Sequence, residues 1–579
     1  MMQRIDIDAD KETLISDDLV LKLELESDGK KGEVLSGNIE YFKLSYHPYG
    51  FDGLVHFSVF DDPKIHELFA SKKPINVTFF YQTNRQKKAK KPPTKIKGIV
   101  WERTSKGIGK NGQDKDTWMY QIQFSDCAKV SWKAHFPLKI YLEKTLKDVI
   151  DEEKNALIDL EYDFEALTEE YPILAFALDY KKDRPECGQP NFYDFLTWLL
   201  HLEGGVLNYN YKDNKYKISG KKEGDGDPIG VAEWWVTPPV CNYPTPARSS
   251  ETVLKHYPDK VEKEDKKEET AFDKVRSDYL DSETYTQFPE QNDLKYKGVQ
   301  SPEKNSVCFN AIELTEKFHF EHLFPGTLIA FKGEEKKGRT WSESSLFNGK
   351  TYRLSHISIM GEKTSASEGM KSFAQPYEMK IHVESEEKDE LFIQRPHYVR
   401  PIYPFPILGK IFCEIGEEEQ TTYNVVKDEK APLGRYEVLI PIGGEEKKVI
   451  VPFSPDFMTG QHYFPFCKDQ QVMVDMYFRT AKIKRVVNWQ PLTELPEKIQ
   501  GCQVVYASNG KDKYFYQKHE FVDGKDSVMT IKQSSSEAQT QVIEIKEKVM
   551  TFTVEQKDKF KVMVQFDRDK GLLLQVKDD

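Results

Sequence analysis

The sequence predicts a mainly β chain with small helical inserts, built from several domains. Three observations carry this reading. Short alternating apolar runs fill Leu19 to Gln123. Five more runs lie within about eighty residues after a proline-rich stretch that ends at Pro406. The tail from Gly501 to Asp579 is almost pure alternation, the period of a strand with one apolar face.

At 579 residues the chain is too long for one ordinary core, and that length implies about three or four domains. Lys+Arg 83 against Asp+Glu 95 leaves a net charge of −12, which opposes general binding to a nucleic-acid backbone. Cysteines 127, 187, 241, 308, 413, 467 and 502 are odd in number and form no C-x-x-C pair. A disulfide framework and a zinc site are therefore not expected, and reduced thiols in a cytoplasm are. The opening MMQRIDIDADKETLI carries acids where a signal peptide needs an apolar run. Export, if it occurs, is expected to use another route.

The first runs are Val20 to Leu25, Tyr41 to Leu44, Leu54 to Phe60, Ile75 to Tyr81, Ile96 to Trp101 and Trp118 to Phe124. Six such strands predict an antiparallel barrel or strongly curved sheet. Lys87, Lys88, Lys90 and Lys91 fall between two of them and read as a solvated hairpin tip. Thr145 to Lys154 reads as a helix with Thr145 as N-cap, Asp148 at the capping-box position, and Leu146, Val149 and Ile150 on one face.

Asn191 to Ser219 is the most legible stretch, because its apolar period changes halfway. Phe192, Phe195, Leu196, Leu199 and Leu202 recur at helical spacing after a capping Asn191, with Asp194 in the first turn. Gly204 and Gly205 end the helix, where a left-handed residue costs glycine least. Leu207, Tyr209 and Tyr211 then alternate up to a turn at Asp213-Asn214, and Tyr216 and Ile218 return. An extended segment, Ile173 to Tyr180, precedes this helix and hairpin.

Lys221 to Pro228 reads as linker, because it lacks the ligand spacing of an EF-hand loop. The highly charged Val253 to Glu269 gives no clear element. Alternation returns at Leu328 to Phe331, Thr351 to Ile359 and Tyr377 to Val383, which would complete a second barrel. SSLFNGKTY ends like a P-loop but has Ser344 where the first glycine belongs, so Asn348-Gly349 reads as a tight hairpin turn. After Pro396 to Pro406, Leu408 to Cys413, Arg435 to Ile440, Lys448 to Val451, Val472 to Tyr477 and Ile483 to Val487 have the number and spacing of OB-fold strands.

No motif carries catalysis. His319 and His322 would point to opposite faces of a strand, and H-E-x-x-H, G-x-S-x-G and a glycine-rich nucleotide loop are absent. The expectation is no catalytic residue, no cofactor and no metal. Between the OB-like stretch and the tail only Trp489 to Gln500 intervene, too few residues for a catalytic domain.

The capped helix, Gly-Gly break and Tyr-rich hairpin resemble a signature of the VgrG family of contractile injection systems. Gly434-Arg435-Tyr436-Glu437-Val438 resembles the family's Gly-Arg-Val-Lys-Val strand. Gly460, Tyr463, Phe464, Pro465, Gln471, Val472, Val474 and Asp475 resemble the segment that follows it. The resemblance implies a first hub barrel over 1–144, a helical insert over 145–205, a second hub barrel over 206–395, an OB-fold over 396–495 and a trimeric β-prism over 496–579.

It also implies a non-enzymatic hub and membrane-puncturing spike, assembled in the bacterial cytoplasm and exported with the machine. The implied partners are two further copies of the chain, a hexameric tube protein, baseplate proteins, effectors, a small PAAR-like tip protein and the target-cell membrane, with no nucleic acid. In the tail, Ile543, Ile545, Phe552, Val554, Val562, Val564, Leu572 and Leu574 are expected to form the trimer core. A cell-wall hydrolase carried on a phage-like spike, or a free OB-fold binding protein, is the alternative.

Overall fold

The computed structural model describes residues 18–60, 62–83, 86–87, 90–110, 116–171, 173–177, 191–224, 226–242, 250–256, 261–267, 281–286, 309–314, 323–332, 341, 344, 346–364, 375–390, 393–399, 406–415, 435–442, 444–452, 466–478, 481–488, 495, 499–509, 513–522, 526–536 and 539–578. Expectations for His319 and His322, Cys187 and Cys308, Lys88, residues 178–180, and Gly434, Gly460, Tyr463, Phe464 and Pro465 lie outside them. Strands dominate. The chain divides into two compact units, 1–137 with 146–169 and 182–401, and 138–145 with 170–181 and 402–579.

In the first unit, all six N-terminal runs are strands: Asp18–Ser27, Ile39–His47, Gly50–Phe60, Ile75–Thr83, Thr94–Lys110 and Asp116–Ser125. Their alternation sends Leu19, Leu21, Leu23 and Leu25, then Ile75, Val77, Phe79 and Tyr81, into one core. The six do not close on themselves. Tyr352–Lys363 pairs with Ile39–His47, Gln375–Glu387 pairs with Asp18–Ser27, and these two late strands pair with each other, giving a closed ring of eight strands.

The two late strands are 12 and 13 residues long, enough to serve two neighbourhoods. Residues 357–362 pair with Ile39–His47, whereas Leu328–Lys332 joins at Tyr352 and Arg353 and Phe309–Glu313 joins at residues 382–386. The strands expected in two separate barrels therefore belong to a single thirteen-stranded sheet. Short-range alternation shows that each run is a strand but carries no information on its distant partner.

Several elements depart from the sequence reading. A strand at Lys30–Leu35 and helices at Pro63–Ala70 and Cys127–Lys133 were not anticipated. In and beyond the charged stretch, Ser250–His256, Val261–Lys267 and Asp281–Thr286 form a three-stranded sheet. Asn348-Gly349 does sit in a turn, with Lys350 N–H donating to Phe347 O at 3.2 Å and Gly349 at φ 73°. The flanking strands, however, meet only at the pairs Leu328–Arg353 and Ile329–Tyr352, so a long connection rather than a tight hairpin joins them.

The helix Phe192–Glu203 is capped as expected: Asn191 Oδ1 accepts from Asp194 N–H at 2.9 Å, and Gly204 is left-handed at φ 77°. It is buried on nearly every side, with Phe192 ringed by Trp132 at 5.4 Å. The hairpin that follows pairs Val206–Asn210 with Lys215–Ser219, so the turn spans four residues rather than two. Tyr211 accordingly leaves the strand. Its hydroxyl lies 2.7 Å from His47 O and 2.5 Å from Gly50 O, and it accepts from His47 N–H at 3.0 Å, filling the turn between two N-terminal strands.

In the second unit, Ile407–Phe412, Arg435–Ile442, Glu445–Pro452, Gln471–Met476 and Ala481–Val486 form one five-stranded antiparallel sheet. Its core of Ile411, Val438, Ile440, Val449, Val451, Val472, Val474 and Ile483 also takes in Ile140 and Ile173. Those two come from the segments of Leu138–Tyr141 and Leu174–Ala177, strands that pair with each other. The sequence marks Ile173 as the start of an extended segment, but not its partner, and gives Ile140 no element.

Candidate functional site

The tail folds as a seven-stranded antiparallel meander from Gln500–Asn509 to Gly571–Asp578, each strand pairing only with its sequence neighbours. Directly opposite residues share a face, so the register states which side chains lie together. One row runs Met529, Ile545, Met550, Phe566, Leu572. The next runs Ile531, Ile543, Phe552, Val564, Leu574, and a third Gln541, Val554, Val562, Val576.

All eight expected residues, Ile543, Ile545, Phe552, Val554, Val562, Val564, Leu572 and Leu574, stand on this one face. Met529, Ile531, Met550, Phe566 and Val576 join them. Their alternation is visible in the sequence, but only the register puts them on the same side.

The opposite face is largely polar, with rows Thr530, Glu544, Thr551, Gln565, Leu573 and Lys532, Val542, Thr553, Met563. Lys561 Nζ pairs with Glu555, directly opposite, at 2.9 Å. Lys532 Nζ lies over the Tyr514 ring at 5.4 Å, and its pKa is raised, chiefly by its hydrogen bond to Tyr514.

The apolar face is uncovered. Among the described residues of this sheet only Val505, Val528 and Ser534 are buried. Exposure rises toward the last strand, from 37% at Phe552 and 44% at Val554 to 59% at Leu572, 66% at Leu574 and 67% at Val576. Each Å² of this contiguous apolar face left in water costs about 25 cal/mol. Toward the first strands of the sheet its first row continues through His519 and Cys502, and His519 Nε2 lies 2.5 Å from Ser527 Oγ. Among the described residues no group of three or more His, Cys, Asp or Glu side chains could hold a metal ion.

No protein-family model matches the sequence, and no curated protein matches it. Solved structures do. A chain of the lidless PdpA–VgrG complex is similar over 97% of this chain and 99% of its own, with a TM-score of 0.66 and 13% identity. A chain of the lidded Francisella PdpA–VgrG complex has the same TM-score and identity over 98% of this chain and 81% of its own. The half-lidded Francisella complex gives 0.62 and 13%, over 97% and 88%. The chain has the fold of a VgrG-type spike protein. The VgrG-type fold accounts for the whole β-rich order seen here, from the ring of strands through the five-stranded sheet to the meander.

Proposed function

We propose that this protein is a structural hub and spike of a contractile injection machine, active as a homotrimer and without catalysis of its own. The single observation that carries the proposal is the uncovered apolar face of the C-terminal meander. A lone seven-stranded sheet cannot bury one face against itself, whereas three copies can turn those faces toward a common axis. Ile543, Ile545, Phe552, Val554, Val562, Val564, Leu572 and Leu574 are then the core of the spike.

The VgrG-type fold supports the same reading. On this reading the strand ring of the first unit docks on a hexameric tube, the last strands carry a small tip protein, and effectors travel on the spike into a target cell. Sedimentation of the full chain tests the central point. A trimer is expected, and a well-folded monomer at micromolar concentration overturns the proposal. A purified trimer should also release no glycan fragments from peptidoglycan.

A further inference from the structure

The strand ring contains a cluster of histidines that the proposed assembly does not use. His47 ends the strand Ile39–His47, and His356 lies on Tyr352–Lys363 just beyond the last paired residues, Tyr46 and Ile357. Their rings stack at 4.7 Å with an interplanar angle of 19°, and the Tyr49 ring also stacks with His47, at 5.0 Å and 1°. His356 Nδ1 is 3.9 Å from Glu384 Oε1, and His382 Nε2 is 3.7 Å from the same oxygen. His47 Nδ1 is buried, with no hydrogen-bond partner among the described residues.

We propose that the stacked His47–His356 pair is an acid-sensitive clasp at the seam where Ile39–His47 meets Tyr352–Lys363. This seam is one of the joins that close the strand ring, so loosening it opens the ring at one edge. Neutral rings stack without penalty. A proton on His47 Nδ1 would bury an N–H with nothing to receive it, and protonating both rings would set two like charges about one ring-stacking distance apart.

The surrounding groups do not cancel this. His356 faces Glu384 and His382 on Gln375–Glu387 and Lys43 on Ile39–His47. His47 faces Asp52 on Gly50–Phe60 and Lys129 on the helix Cys127–Lys133, and its backbone meets the Tyr211 hydroxyl. Asp52 is already committed to Lys129, at 2.5 and 2.7 Å. Among the described residues Glu384 is the carboxylate beside His356, and two imidazoles share it. Burial depresses both titrations, taking His356 to about 4.

A base whose folded pKa lies below its unfolded value adds stability above the unfolded pKa, and loses it as pH falls through the folded one. The seam should therefore weaken between pH 6.5 and about 4. Hydrogen exchange followed by mass spectrometry on the full chain, corrected for the intrinsic pH dependence, tests this at residues 44–47 and 356–359. Wild type should lose protection there by about tenfold per pH unit for each proton the opened seam takes up.

His356→Phe, which keeps a stacking ring and leaves only His47 to titrate, should reduce that loss to the part carried by His47. Glu384→Gln, which removes the counter-charge, should enlarge it and also serves if the phenylalanine variant folds poorly. Unchanged protection in wild type down to pH 5, or equal acid loss in wild type and both variants, overturns the proposal.

Discussion

Tyr216 donates its hydroxyl proton to Asp126 Oδ1 at 2.7 Å, across 90 residues of chain. The same oxygen accepts from Lys129 N–H at 2.9 Å, capping the helix Cys127–Lys133, while Asp126 Oδ2 is buried without a partner among the described residues. One carboxylate thus ties the tyrosine-rich hairpin to the N-terminal strands. Burial is the main cause that pushes its pKa from 3.8 up to about 6.

That shift fixes a sign. An acid whose folded pKa is raised favours the folded state while protonated, and the benefit is lost as pH rises through about 6. Asp126→Asn keeps an acceptor for both donors and removes the buried charge. It should equal or exceed wild type in urea denaturation at pH 7.5 and lose that advantage at pH 4. Asp126→Ala, with no cap, should cost about 1 kcal/mol at either pH.

Glu386 is the hinge of a buried ion cluster. Its Oε1 takes Lys222 Nζ at 2.7 Å and Arg353 Nη1 at 3.1 Å, with all three side chains nearly out of solvent. Glu386→Gln removes the charge both cations share and should cost about 3–5 kcal/mol. Lys222→Met leaves the Arg353–Glu386 pair intact and should cost clearly less in the same denaturation experiment.

Gly98 is needed for space rather than for backbone freedom. A Cβ there would lie 2.4 Å from Ser125 O and 3.1 Å from Phe51 Cζ. A backbone carbonyl in a paired strand cannot swing aside as a flexible side chain can. Gly98→Ala should therefore lower stability by about 1–3 kcal/mol, read from the midpoint of thermal or chemical unfolding.

The spike face gives the most direct test of the assembly. Ile545→Asp or Val564→Asp places a charge on the apolar face and should dissociate the trimer, since burying it unpaired costs several kcal/mol. Lys546→Asp, at an exposed position that pairs with Glu544 at 2.6 Å, should leave sedimentation unchanged. Equal dissociation by all three substitutions would mean that the inward and outward positions are wrongly assigned.

The sequence by itself determined what depends on near neighbours. Asn191, Asp194 and Gly204 define both ends of a helix, because caps are satisfied within a few residues. Alternation marks the six N-terminal strands, the five strands beyond Pro406 and the two-faced tail, because side-chain direction in a strand repeats every two residues. The alternation of the eight tail residues within each run was readable for the same reason, while the register alone puts them on one face.

Only the tertiary structure decided the rest. Period two says nothing about which distant strand is the partner, so the sharing of Tyr352–Lys363 and Gln375–Glu387 between two sets of strands could not be read locally. The entry of Ile140 and Ile173 into the core of the five-stranded sheet is of the same kind. Tyr211 reads as one more alternating strand residue, yet it sits in a four-residue turn because its hydroxyl satisfies three backbone groups 161 to 164 residues away. His47 and His356 are scattered in sequence and become a stacked pair only because strand pairing brings their ends together. Such contacts are selected by the burial of the whole ring, a sum over many residues that no short window contains.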